Sequence, residues 1–190
     1  TVAHLKGEGR DHEIAGALQQ CFWLALLLSV PVVLLHQHPD AILALSDIEP
    51  VVEAKARRYL DMLAWGVPAA LFYRAFYTFC NAIGQPSPLM MISIGCTSLH
   101  AVLAWLLVTG GLGGEALGAA GCGISNAVVG WFALSCGAVY MLVSKVLAPY
   151  RLLSNWQRPR LQALRVLLRL CLPMGFSSFV EISPFPLIAL

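Results

Sequence analysis

Apolar runs about as long as a bilayer-crossing helix alternate with short polar connections along the whole chain. A hydrocarbon core of about 30 Å takes about 20 helical residues to cross. Runs of that order fall at 17–35, 59–83, 88–109, 117–146 and 164–190, which predicts five membrane helices. Polar residues gather at the ends of these runs rather than along one face, unlike the wet stripe of a soluble helix. The connections carry Pro and Gly where helix hairpins turn, as in "GQPSP" and "GGLGGEALG". The longer connection, 36–58, has room for a short amphipathic helix at the membrane interface. Pro31, Pro68 and Pro173 lie inside apolar runs, where each removes a backbone hydrogen bond and is expected to kink its helix. The fold class is an all-α membrane protein, a polytopic helix bundle.

Composition supports this assignment: 58% of residues are hydrophobic and 12% charged, with a mean hydropathy of +0.74. Lys and Arg are divided unevenly between the two sides. Lys6, Arg10, Lys145, Arg151, Arg158, Arg160, Arg165 and Arg169 fall on one, while on the other Lys55, Arg57 and Arg58 stand among Asp40, Asp47, Glu49, Glu53 and Glu115. The positive-inside rule makes the first side cytoplasmic, so 1–16 and 147–163 are cytoplasmic loops and 36–58 is external. The formal charge of +2 follows from this topology and is not read as a nucleic-acid surface. The six cysteines lie in apolar stretches without C-x-x-C spacing, which argues against a zinc site or a disulfide framework. Neither G-x-S-x-G nor H-E-x-x-H occurs, so hydrolase chemistry has no carrier. The chain opens "TVAHLKGEGRDHE" and stops at "FPLIAL" inside an apolar segment, and is expected to be a piece of a longer protein.

Three ionisable side chains fall near mid-depth: Arg74, His100 and Glu181. Glu181 lies roughly 18 Å past Arg169 along a helix rising about 1.5 Å per residue. A charge at the bilayer centre costs about 3 kcal/mol or more, so each must face a partner or a wet cavity. In "GFSSFVEISPF", Ser177, Ser178 and Ser183 flank Glu181, and Pro184 and Pro186 disrupt the helix beyond it. A carboxylate there is a candidate site for a proton, a sodium ion or an organic cation, the alternative being a structural ion pair. Arg74 reads either as a cationic anchor for Glu181, Asp61 or an acidic group elsewhere, or as a snorkelling side chain. His100 reads as a titrating group or as a neutral imidazole bonded to backbone. In "LGAAGCGISNAVVG", Gly118, Gly121 and Gly123 permit close helix approach, and Asn126 either bonds across helices or lines a cavity.

Taken in order, "RRYLDMLAWGVPAALFY", "GQPSPLMM", "GGLGGEALGAAGCGISNA" and "LPMGFSSFVEISPF" resemble the multidrug and toxic compound extrusion (MATE) transporters, in their NorM-like branch. The resemblance places the chain across the third to seventh of the family's helices: a partial MATE fold, with most of the N-lobe and the first helix of the C-lobe. It implies export of organic cations in exchange for Na+ or H+ by alternating access, in a bacterial inner membrane, with no cofactor. It also implies that the remaining N-terminal helices and the C-lobe complete the transporter. "VEI" puts Glu181 at the acidic position of the family's seventh helix, where it is the candidate Na+ ligand, and Cys122 at a position near the cation path. His100 and Ala104 stand where relatives usually carry Asn, Arg74 precedes by one turn a position often basic that is Tyr77 here, and Pro184 is unusual. The superfamily's lipid-linked oligosaccharide flippases share the architecture, but their cavities are rich in Arg and Lys, and at membrane depth this chain offers Arg74. A non-transporting structural membrane protein would leave Glu181 without purpose.

Overall fold

In the computed structural model, residues 7, 11–40, 49–111, 116–150, 152 and 156–182 are described. They form an all-helical bundle in which α1 is Asp11–Gln37, α2 Pro50–Ala64, α3 Val67–Ala82, α4 Ser87–Thr109, α5 Ala119–Val143 and α6 Leu161–Ile182, with a single 3-10 turn at Ala148–Tyr150. Three helices among the described residues are long and apolar enough to cross a membrane: Glu13–Gln37, Ser87–Thr109 and Ala119–Val143.

The run 59–83 differs from its sequence reading, which drew one kinked helix. It is divided between α2 and α3 by a turn at Trp65–Gly66. Pro68 stands in the first turn of α3, so it starts a helix instead of kinking one. With no N–H at Pro68 the helical ladder cannot continue across the turn. The carbonyl of Trp65 finds another partner, the indole N–H of Trp131 on α5 at 3.1 Å. At the other end, α2 begins at Pro50 and runs unbroken past Tyr59. Residues assigned to an interfacial helix in the 36–58 connection are therefore the first turns of α2, because charges such as Glu53, Lys55 and Arg57 interrupt an apolar pattern without interrupting a helix. Pro31 and Pro173 both lie within helices.

α5 is the centre of the bundle, packing against α2, α3 and α4. Small residues make this approach feasible. A Cβ at Gly123 would stand 2.8 Å from the carbonyl oxygen of Tyr59 on α2, and one at Gly121 would stand 2.8 Å from the backbone of Leu107 on α4. The break in the second run meets the same seam, since a Cβ at Gly66 would come within 2.7 Å of the Cα of Ala127. Gly118 was grouped with these on sequence, but nothing lies within 4 Å of its would-be side chain. Its φ of +55° at the head of α5 is the feature that favours glycine there.

α1 closes the bundle by packing on α2 and α3, and α6 packs on α1. Ile14, Leu18, Phe22, Phe76, Phe79, Cys80, Ile83, Leu89, Leu147 and Leu152 form one buried cluster. These residues sit at the end that the Lys and Arg bias assigns to the cytoplasm. There the stretch before α6 is held to α1 by side chain to backbone hydrogen bonds. Gln19 donates to the Leu152 carbonyl at 2.9 Å and accepts from the Gln157 N–H at 2.9 Å. Gln20 donates to the Arg158 carbonyl at 3.0 Å and accepts from the Arg160 N–H at 2.8 Å.

Candidate functional site

Polar side chains singled out in the sequence for separate reasons meet between α4 and α5. Where Gly121 brings the two backbones together, the Leu117 N–H on the approach to α5 also bonds the Leu107 carbonyl of α4 at 3.0 Å. Deeper along the same interface, His100 Nδ1 on α4 lies 3.4 Å from the Ser125 hydroxyl on α5. Ser125 Oγ donates to the Cys122 carbonyl at 2.9 Å, and Asn126 Nδ2 donates to the same carbonyl at 3.2 Å and lies 4.0 Å from Cys122 Sγ. Spacings of three and four residues put Ser125 and Asn126 one turn below Cys122, which explains the shared acceptor.

With the serine hydroxyl donating to the Cys122 carbonyl, its oxygen is placed to accept from His100 in the tautomer that carries the proton on Nδ1. Ser125 is fully buried, whereas His100, Cys122 and Asn126 are half-buried. Sequence reading missed Ser125; its position three residues after Cys122, beside Asn126, was the available signal.

The other sequence candidates lie elsewhere. Arg74 on α3 is exposed, with its guanidinium carbon 5.8 Å from the centre of the Tyr77 ring. Neither Arg74 nor Asp61 forms an ion pair among the described residues, so the two are not each other's partner. The backbone of Glu181 falls in the last turn of α6, but its side chain, that of Ser178, and residues 183–190 lie outside the described residues. The helix bearing Glu181 packs on α1, separate from the α4–α5 cluster. Among the described residues no three His, Cys, Asp or Glu side chains gather so as to hold a metal ion.

A second feature that the sequence reading did not find is an apolar groove of about 340 Å³ beside the Trp65–Gly66 turn, lined by Met62, Trp65, Ile124, Ala127, Val128 and Trp131. On α2, Arg57 bonds Asp40 at 2.5 Å and Glu53 at 2.8 Å. Hydrogen bonding to Arg57 holds the Asp40 carboxyl below its ordinary pKa. The Arg57 guanidinium is raised in turn, first by Glu53 and then by Asp40.

A helical bundle with apolar spans, polar groups buried between helices and charge divided by side defines a multi-pass membrane protein. The family model described as MatE matches residues 1–106, more than half of the chain, and the chain belongs to that family. It is 52% identical over 190 residues to a protein named probable multidrug resistance protein NorM from Aromatoleum aromaticum. Identity is 32% over 189 residues to multidrug resistance protein NorM of Aliivibrio fischeri, and 31% over 191 residues to multidrug resistance protein MdtK of Yersinia pestis. Each match covers all of this chain but 41%, 41% and 42% of the relative, so the chain spans about two-fifths of their length.

Proposed function

We propose that this chain is part of a secondary active multidrug transporter of a bacterial inner membrane, which exports organic cations in exchange for Na+ or H+ by alternating access. The observation that carries the proposal is the 52% identity, over all 190 residues, to a relative named probable multidrug resistance protein NorM. The physics of the site is consistent with it. A carboxylate at the depth of Glu181 is tolerated only with a positive counter-charge, so a proton or sodium ion and a cationic drug compete for it. Binding of one guest expels the other, and the lobes exchange between inward and outward openings according to which guest is held. The His100–Ser125–Cys122–Asn126 cluster adds polar groups within the first lobe. The close seam of α5 with α2, α3 and α4 makes that lobe a single body that moves as a unit. The missing helices of the longer protein supply the other walls of the cavity, and no cofactor is required.

Ethidium efflux by the full-length protein in vesicles tests this, with a sodium gradient and a pH gradient imposed separately. Efflux driven by one of them supports the exchange; efflux indifferent to both rejects it.

A further inference from the structure

A polar structure built from two buried glutamines on α1 plays no part in the proposed transport. Gln20 on α1 is 5% exposed, and its single amide grips the chain on both sides of Pro159. Its Nε2 donates to the Arg158 carbonyl and its Oε1 accepts from the Arg160 N–H. Proline fixes its own φ and has no N–H, so the Arg158–Pro159–Arg160 corner is fixed by covalent geometry in the middle and by hydrogen bonds on either side. Gln19, 1% exposed, holds the Leu152 carbonyl and the Gln157 N–H in the same way. Trp23 adds an N–H bond to the Gln157 carbonyl at 3.0 Å.

The side chains on this fixed backbone point to a ligand. Arg158 and Arg160 are exposed, and so are Arg165 and Arg169, one and two turns further along α6. None of these arginines has a carboxylate partner among the described residues. Trp156 is 48% exposed, stacked on Phe22 at 6.4 Å and edge-on to Trp23 at 6.3 Å, as an aromatic at headgroup level would be. The charge bias puts the whole arrangement at the cytoplasmic surface of the membrane.

We propose that this corner is a binding site for the phosphate of an anionic phospholipid headgroup in the cytoplasmic leaflet. Guanidinium forks match phosphate oxygens two at a time. A mobile polybasic tail attracts acidic lipid diffusely, but here the backbone beneath two of the forks is already ordered, so less entropy is lost on binding and the site saturates. Zwitterionic lipids carry an ammonium that offsets their phosphate and compete poorly.

The test uses the purified full-length protein in detergent, titrated with phosphatidylglycerol or phosphatidylcholine and read by native mass spectrometry. Phosphatidylglycerol is expected to saturate, and Arg158→Gln with Arg160→Gln to weaken it about 30-fold. Gln20→Leu, which leaves every arginine in place, also weakens it, whereas Arg57→Gln with Arg58→Gln, on the opposite side, does not. Arg158→Lys with Arg160→Lys, which keeps the charge but removes the forks, falls between wild type and the glutamine pair. Unchanged phosphatidylglycerol binding in the glutamine pair, or equal binding of phosphatidylcholine, overturns the proposal. So does saturation by glycerol phosphate at the same concentration, which would make the site one for soluble phosphates. Lysine variants that bind like wild type would mean diffuse attraction and overturn it as well.

Discussion

Replacing Gly66 by alanine sets two effects of known sign against each other. The backbone at Gly66 is right-handed helical, with φ −84° and ψ −19°, so alanine fits there without conformational strain. By restricting the unfolded chain the substitution gains about 0.4–1 kcal/mol. Against this, the new methyl meets the Cα of Ala127 at 2.7 Å and its Cβ at 3.2 Å. The first of these is backbone of α5, a helix itself packed on α2, α3 and α4, so relief requires moving the whole helix. Overpacking of this kind costs about 1–3 kcal/mol, and loss outweighs gain. Ala127→Gly should not restore the loss, because it removes the Cβ but leaves the closer Cα. Gly95 is the matched control: it lies inside α4, and its nearest neighbour to an added Cβ is a Phe132 ring carbon at 3.9 Å. Alanine there brings about 1 kcal/mol of helix propensity with no collision. Thermal denaturation of the detergent-solubilised full-length protein, followed as the monodisperse fraction, should move down for Gly66→Ala and stay level or move up for Gly95→Ala. Equal or greater stability of Gly66→Ala would refute the close seam between α5 and the helix break.

Gln19→Leu leaves the Leu152 carbonyl and the Gln157 N–H without their partners, each worth about 1–3 kcal/mol where buried, so faster tryptic cleavage at Arg160 and lower thermal stability are expected. Asp40, whose folded pKa is depressed, contributes stability that is complete above its unfolded value and lost as pH falls below the ordinary 3.8 and through the folded pKa. The pair is exposed and the effect small; melting curves should show an acid-sensitive component in wild type that Asp40→Asn lacks. Ser125→Ala removes the hydroxyl 3.4 Å from His100 Nδ1, so the 15N spectrum of the labelled histidine should change its balance between the Nδ1–H and Nε2–H forms; an unchanged spectrum would contradict a hydrogen bond between the two.

Long apolar helices were legible because apolar length is a local property: α1, α4 and α5 overlap the runs 17–35, 88–109 and 117–146. The division of 59–83 was not legible. Pro68 alone is equally compatible with a kink or a helix start, and the choice depends on α5 supplying Trp131 to the Trp65 carbonyl and the small Ala127 against Gly66. Gly121 and Gly123 were read correctly as points of approach because small residues near the head of a membrane helix have few other uses, while Gly118 serves its backbone angle. His100, Cys122 and Asn126 were each visible as polar groups in apolar runs, but their meeting depends on the register of α4 against α5, which no single run encodes. Gln19 and Gln20 passed unnoticed as the polar start of a span. Adjacent helical residues point in different directions, and their partners lie more than 130 residues away in the sequence.

The central claim is that a carboxylate at the end of α6 exchanges one cation for another. Glu181→Gln in the full-length protein keeps the shape of the side chain and removes its charge, so expression and membrane insertion should persist. Ethidium efflux driven by a sodium or proton gradient should fall to the level of empty vesicles. Gradient-driven efflux at the wild-type rate in the glutamine variant would contradict the claim.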